Sequence, residues 1–141
     1  MVAGAARHVA LLPIRPEYAN AIMSGRKRVE FRRVRFQHDV THIIVYASSP
    51  VKMVVGFFEV AGIEEGSPAA IWQRYRHVGG IDHADYQGYF GNSARAVAIQ
   101  VGRVCALARP VSLSFLRKRM SPPQGFAYCD GAVLDRIFPC V

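Results

Sequence analysis

Residues 25–35 read GRKRVEFRRVR and contain six basic side chains and one acidic side chain. The middle of this stretch alternates between apolar and charged residues. Alternation with a period of two is typical of a β-strand that has one apolar and one charged face. We therefore predict a strand over residues 28–33 that holds Glu30 between Arg28 and Arg32 on its charged face.

The sequence on both sides of this strand predicts a single domain of short strands and helices. Apolar or alternating runs predict further strands at 8–14, 41–47, 53–60 and 95–107. Helices are expected to begin at Pro16, after Ser67 and after Asp82, where proline or a capping side chain opens the first turn. We expect residues 1–8 to be a loose leader. Residues 9–141 should form one α+β domain, a small mixed β-barrel flanked by short helices.

The charge balance points to a polyanionic partner. The 141-residue chain carries a formal net charge of +8, and 15 of its 18 basic residues are arginine. Arginine grips phosphate with two hydrogen bonds and stacks on bases, so nucleic acid is the simplest partner. A hydrophobic fraction of 51% excludes a disordered chain. An ordinary soluble surface from an arginine-rich proteome is the alternative explanation.

The cysteine count and the short apolar runs suggest a cytoplasmic protein. The chain has three cysteines, an odd number without C-x-x-C spacing, which favours free thiols in a reducing compartment. No apolar run approaches the roughly 18 residues of a membrane span. We therefore expect a cytoplasmic protein without a membrane partner.

Lys27 and Glu30 are the candidate catalytic residues. The arginines around Lys27 disfavour its charged form and are expected to lower its pKa, so Lys27 is the first choice to transfer a proton or attack a substrate. Glu30 is suited to accept a hydrogen bond from the exocyclic amine of a base, or to orient Lys27.

The sequence predicts no metal site and no cofactor. His38 and His42 flank the start of a predicted strand and lack an acidic or cysteine partner at ligand spacing. A glycine-rich phosphate loop, a nucleophile elbow and a dinucleotide fingerprint are also missing from the sequence.

The pattern Gly25-x-Lys27-x-x-Glu30-x-Arg32 resembles the G-x-K-x-x-E-x-R signature of the ASCH domain, a branch of the PUA-like superfamily. Segments at 13–16, 45–52, 66–68 and 123–126 agree with it, so the resemblance covers about residues 9–128. It implies a PUA-like β-barrel with a helix-lined cleft beside the signature.

The resemblance also implies a role with RNA. Family members bind RNA or act in RNA-linked regulation, and two hydrolytic activities are associated with them: ribonuclease activity, and deacylation of N4-acetylcytidine in a short bacterial branch. That branch has lysine at the position of Lys27 but threonine at that of Glu30. Its later catalytic glutamate has no clear counterpart here, and Asp82 and Asp85 are the candidates.

The expected RNA-binding residues surround the signature. The turn at residues 48–50 places hydroxyls at the mouth of the cleft, where they suit phosphate. Tyr89 points away from the Tyr86 and Phe90 pair on its predicted helix and is placed to stack on a base. The complete predicted set is Arg26, Arg28, Arg32, Arg33, Arg35, Ser48, Ser49, Lys52 and Tyr89.

Three functions remain open from the sequence. The first is an RNA-binding domain that also cuts RNA without a metal, using Lys27 and the arginines to hold phosphate and the 2′-hydroxyl as nucleophile. The second is an amidohydrolase acting on N4-acetylcytidine-type nucleosides, with Lys27 as base or nucleophile. The third is a non-enzymatic transcriptional or translational regulator that binds RNA. A monomer or weak dimer is expected in each case.

Overall fold

The computed structural model describes residues 7–137 and contains six strands and four α-helices in that part of the chain. Most of the expected leader, residues 1–6, lies outside the described residues, and the first strand begins at Val9. In chain order the elements are β1 Val9–Ile14, α1 Pro16–Met23, β2 Val29–Arg32, β3 His42–Ala47, β4 Met53–Gly66, α2 Pro68–Tyr75, α3 His83–Phe90, β5 Ala96–Val111, β6 Ala127–Cys129 and α4 Val133–Ile137, with a 3₁₀ turn at Leu113–Phe115 before β6.

The strands form one mixed sheet in the order β2-β5-β4-β3-β1-β6. Strands β1 and β3 are parallel, and every other neighbouring pair is antiparallel. The α+β prediction is confirmed. The prediction of a closed barrel is wrong for the described residues, because the sheet ends at β2 and β6 without a pairing between them. These edge strands have only four and three residues, too few to close a ring.

Two strands are longer than the sequence indicated. Strand β4 continues from the expected end at residue 60 to Gly66, and β5 continues to Val111. The added end of β4 carries Glu64 and Glu65, and arginines pair with both carboxylates. The register between β4 and β5 shifts near Gly102. A side chain there would lie 2.8 Å from the carbonyl oxygen of Glu59.

Helices cover part of the sheet and create the walls of a cleft. Helix α1 packs on a core that includes β1, β3 and the middle of β4. Helices α2 and α3 share a separate core with β2 and the start of β5, formed by buried Val29, Phe31, Ile71, Tyr86, Phe90, Ala96 and Ala98. Strand β2 packs on this second core through Val29 and Phe31, and its Glu30 and Arg32 line the cleft between α1 and α3.

The cysteines differ from the expectation of free thiols. Cys105 is disulfide-bonded, so the expectation is wrong there, whereas Cys129 is a half-buried free thiol. Within residues 7–137, none of the helices has the length and apolar character needed to cross a membrane.

Candidate functional site

The turn after α1 places the Lys27 side chain inside the protein. Gly25 has φ of +85°, a left-handed conformation that glycine adopts without strain, and it reverses the chain directly after the helix. The backbone N–H of Lys27 then donates to the carbonyl of Ala21 at 3.0 Å. The residue is only 1% exposed, and its Nζ donates a hydrogen bond to the carbonyl of Gly79.

A glycine pair closes over the stem of this lysine. Gly80 has φ of +61°, and a side chain at this position would lie 2.7 Å from Cβ of Lys27. A side chain at Gly79 would lie 2.8 Å from the ring of Phe31. Only glycine therefore allows the loop between α2 and α3 to approach this closely.

Buried Lys27 and Glu30 form a chain of charges with half-buried Arg32. Nζ of Lys27 lies 3.7 Å from Oε1 of Glu30, and Nε of Arg32 lies 3.3 Å from Oε2 of the same carboxylate. Arg32 also donates to the carbonyl of Pro13 at 2.7 Å. With Lys27 protonated, two cations face one anion, so the chain carries one net positive charge that favours an anionic ligand.

The pKa of Lys27 is lowered from its ordinary value of 10.5. Burial is the largest cause and Arg32 acts in the same direction, while Glu30 opposes the shift. The predicted direction is confirmed, but the predicted cause was incomplete, because removal of water from the ammonium outweighs the neighbouring arginine charge.

These charges lie in a cleft of about 230 Å³ between α1 and α3. The volume is below the roughly 300–1,000 Å³ of drug-sized sites, and it suits one compact group such as a nucleoside. The cleft is lined by Pro13, Ile14, Arg15, Tyr18, Lys27, Glu30, Phe31, Arg32, Ser48, Ile81, Asp85, Tyr86 and Tyr89.

Tyr18 and Asp85 connect the two helical walls of the cleft. The hydroxyl of Tyr18 on α1 donates to Oδ2 of Asp85 on α3 at 3.2 Å. Burial and the Asp85 carboxylate raise the pKa of Tyr18 to about 12, so this phenol stays protonated at neutral pH. Nζ of Lys27 lies 5.2 Å from the ring centre of Tyr18 and 5.1 Å from that of Phe31, within cation–π distance of both.

Two arginine–tyrosine pairs stand at the rim. The guanidinium of Arg15 lies 5.3 Å from the ring centre of Tyr18, and that of Arg33 lies 4.7 Å from the ring centre of Tyr89. Arg33 also donates to the backbone carbonyl of Tyr89 at 3.4 Å. The rim therefore combines positive charge with aromatic faces.

The structure brings together about half of the predicted site residues. Five of them line the cleft: Lys27, Glu30, Arg32, Ser48 and Tyr89. Arg33 touches it through Tyr89, and exposed Ser49 and Lys52 belong to the turn that carries Ser48.

The other predicted arginines point elsewhere. Exposed Arg26 donates to the hydroxyl of Ser24. Arg28 was expected to flank Glu30, but it precedes β2 and its guanidinium donates to the carbonyl of Val101 at 2.8 Å. Arg35 pairs with Glu65 at 2.6 Å. Only Arg32 of the two expected neighbours therefore contacts Glu30.

Sequence reasoning missed most of the cleft walls. Tyr18 had the pattern of a helix face directed at the core, and Asp85 was only one of two candidate acids. The two acids have different positions in the structure. Asp82 caps α3 by accepting a hydrogen bond from the backbone N–H of Asp85, whereas the Asp85 side chain lines the cleft. The four-residue spacing of Asp85 and Tyr89 was the one available signal that they share a helix face.

Neither histidine that was weighed as a metal ligand belongs to a ligand cluster. His38 packs against Tyr128, and Nδ1 of His42 lies 2.8 Å from the hydroxyl of Thr41. Over residues 7–137, three or more histidine, cysteine or carboxylate side chains do not converge in a way that suits a metal ion.

The chain is similar in sequence and in structure to known proteins. The family model described as ASCH domain matches residues 12–104. An "ASCH domain-containing ribonuclease" from Zymomonas mobilis subsp. mobilis is 34% identical over 126 residues, covering 86% of this chain and 84% of that protein. The crystal structure of ASCH from Zymomonas mobilis superposes with a TM-score of 0.83 at 30% identity, covering 91% of this chain and 92% of that one.

A more distant structure shares the fold alone. The N-terminal domain of Staphylothermus marinus McrB has a TM-score of 0.59 at 12% identity, and the match covers 94% of each chain.

Proposed function

The chain belongs to the ASCH domain family, and from this premise we propose that it binds single-stranded RNA at the cleft and cleaves the phosphodiester chain there. The observation that carries the proposal is the Lys27–Glu30–Arg32 chain at the cleft, with the pKa of Lys27 lowered. The family relative named a ribonuclease, 34% identical to this chain, supports the same reaction.

In the proposed reaction the RNA supplies its own nucleophile. The 2′-oxygen attacks the adjacent phosphorus, the bond from phosphorus to the 5′-oxygen breaks, and a 2′,3′-cyclic phosphate and a 5′-hydroxyl end are left. The neutral amine of Lys27 accepts the proton of the 2′-hydroxyl, and water supplies a proton to the departing oxygen. Burial lowers the pKa of Lys27 and so increases its neutral fraction near neutral pH.

The other groups position the substrate and stabilise charge. Glu30 orients the amine of Lys27, and Arg32 supplies fixed positive charge for the developing negative charge on phosphorus. Ser48 lines the cleft on the opposite side from α3 and suits a phosphate oxygen. Tyr89 offers a face for base stacking, and exposed Arg33, Ser49 and Lys52 lie around the cleft and offer groups for the RNA backbone.

Cleavage of an end-labelled RNA oligomer tests the proposal. We expect the protein to cut RNA with EDTA present, to leave 2′,3′-cyclic phosphate ends, and to leave DNA of the same sequence intact because DNA lacks the 2′-hydroxyl. Lys27→Met should slow cleavage by about 10²- to 10⁴-fold, whereas Lys118→Met, the matched loss of an exposed lysine outside the cleft, should leave the rate unchanged. Equal cleavage by both variants would show that Lys27 is not the base.

One observation favours a second candidate, amide hydrolysis of an N4-acylated cytidine. The cleft is small enough for a single nucleoside and holds a lysine whose pKa is lowered. In that case Lys27 either accepts a proton from a water that attacks the acyl carbon or attacks that carbon itself to form an acyl-lysine that water then hydrolyses. The bond from the acyl carbon to N4 breaks, N4 takes up a proton, and cytidine and the free carboxylic acid are released. Incubation with N4-acetylcytidine, followed by chromatography for released cytidine, separates the two reactions. RNA binding without turnover in either assay would instead support a regulator.

A further inference from the structure

Helices α2 and α3 form a second concavity on the side of α3 away from the cleft. This α2–α3 groove has a volume of about 600 Å³. It is lined by Pro68, Ala69, Trp72, Gln73, Arg76, His83, Tyr86, Gln87, Phe90 and Gly91.

Aromatic rings line the groove in a continuous series. The rings of Trp72 and exposed His83 are stacked, with centres 4.7 Å apart and planes 11° apart. The ring centres of Trp72 and Tyr86 are 4.8 Å apart, and those of Tyr86 and Phe90 are 4.6 Å apart. Stacked rings with an exposed outer face are the kind of platform on which unpaired bases bind, since every base has a π-face.

Helix α3 separates the groove from the cleft by the thickness of one helix. Asp85 and Tyr89 line the cleft, whereas His83 and Gln87, also four residues apart, line the groove. Tyr86 lies between these faces and lines both concavities. A strand held in the cleft therefore reaches the groove by crossing a single helix.

The polar groups of the groove suit a nucleotide. Arg76 at the end of α2 is exposed, and no carboxylate in residues 7–137 forms an ion pair with it. The exposed amides of Gln73 and Gln87 offer both donors and acceptors to a base edge. Aromatic platforms beside an arginine are typical of proteins that bind single-stranded nucleic acid.

We propose that the α2–α3 groove is a second nucleotide subsite for the RNA strand that occupies the cleft. A base stacks on the outer face of His83 over Trp72, and Arg76 binds the neighbouring phosphate. This inference rests on the proposed function, because it assigns to the groove a nucleotide flanking the one held in the cleft.

Intrinsic fluorescence tests the groove directly, because Trp72 is the only tryptophan in the chain. We expect an octamer of uridine, made with 2′-deoxy sugars so that it is not cut, to quench Trp72 as it binds. Uridine monophosphate is too short to occupy both subsites. It should quench Trp72 fluorescence far less than the octamer does when the same fraction of the protein has ligand bound. Saturable binding of the octamer with unchanged Trp72 emission would overturn the groove assignment.

Variants with a matched control separate the two proposals. His83→Ala and Arg76→Ala should each weaken octamer binding by roughly 5- to 100-fold. Arg74→Ala removes the same charge from the same helix outside the groove, where Arg74 pairs with Glu64, and should have little effect. Variants that bind the octamer as the wild type does, while RNA cleavage persists, overturn the groove assignment and leave the proposed function standing. No octamer binding by the wild type, together with no RNA cleavage, removes both.

Discussion

The basic stretch at residues 26–35 divides into a buried and an exposed part that the sequence does not distinguish. Lys27 is 1% exposed, while Arg26 and Arg28 on either side of it are exposed. The difference arises because a glycine pair in the loop before α3 closes over Lys27 and leaves its neighbours in water. The sequence therefore shows which residues of the stretch are basic, but tertiary contacts decide which of these side chains is buried and has a shifted pKa.

The two parts have different physical consequences. A buried ammonium loses hydration, and the pKa of Lys27 falls although Glu30 opposes the shift. An exposed guanidinium keeps its hydration, attracts an anion at longer range and is screened by salt. We therefore assign proton transfer to the buried part and backbone attraction to the exposed part.

The largest effect is expected from removing the buried cation. Lys27→Met should lower kcat/KM for RNA cleavage by about 10²- to 10⁴-fold, because general-base catalysis contributes an amount of that order. Arg26→Met, which changes an exposed neighbour, should change it by about threefold or less. Initial rates on a labelled oligomer measure both, with circular dichroism to verify folding. Comparable losses for the two variants would contradict the assignment of proton transfer to the buried part of the basic stretch.

The next effect concerns stability. Arg32→Ala leaves buried Glu30 with only Lys27 and removes the donor to the Pro13 carbonyl, so it should lower the free energy of unfolding by about 2–4 kcal/mol. Arg28→Ala loses hydrogen bonds at a more exposed place and should cost about 1 kcal/mol or less. Urea denaturation followed by circular dichroism compares them. A larger loss for Arg28→Ala would show that the exposed part supports the fold more strongly than the buried one.

Local sequence patterns were sufficient to predict most of the helices and strands. Pro16, Ser67 and Asp82 marked the starts of the three main helices because capping and proline geometry act within one turn. Strand β6 was missed, since three residues that pair with β1 carry no periodicity of their own.

The contacts of the site could be predicted from the sequence only where both residues lie in one continuous segment. Lys27 and Glu30 lie three residues apart, and their pairing is visible in the sequence. Tyr18 and Asp85 are 67 residues apart, and their contact forms only because the fold brings α1 and α3 to facing walls of the cleft. The burial of Lys27 depends on Gly79 and Gly80, whose role becomes visible only from the close approach of the two chain segments.

The pH dependence of stability provides a smaller test of the buried part. Because the folded pKa of Lys27 lies below 10.5, the unfolded chain binds more protons between the two values, and the free energy of unfolding rises with pH there. Lys27→Met lacks this contribution. The stability of the wild type relative to the variant should therefore increase as the pH rises towards 10.5 and be lowest below the folded pKa. Urea titrations at several pH values measure the difference, and a constant difference would mean that Lys27 keeps its ordinary pKa.

The smallest effect is expected on the salt dependence of RNA binding, where two arginines of the exposed part, Arg33 and Arg35, should differ. Arg35 already pairs with Glu65 at 2.6 Å, whereas Arg33 contacts only the ring and carbonyl of Tyr89 among the described residues. If Arg33 contacts one phosphate, Arg33→Ala should reduce the slope of log affinity against log salt by about 0.7, the value for one contact on a single strand. Arg35→Ala should change it less, because the Arg35 guanidinium is already held in an ion pair with Glu65. Binding of a non-cleavable oligomer at four salt concentrations gives both slopes, and a larger change for Arg35→Ala would place the RNA backbone near Glu65 at the end of β4 instead of at the Tyr89 rim.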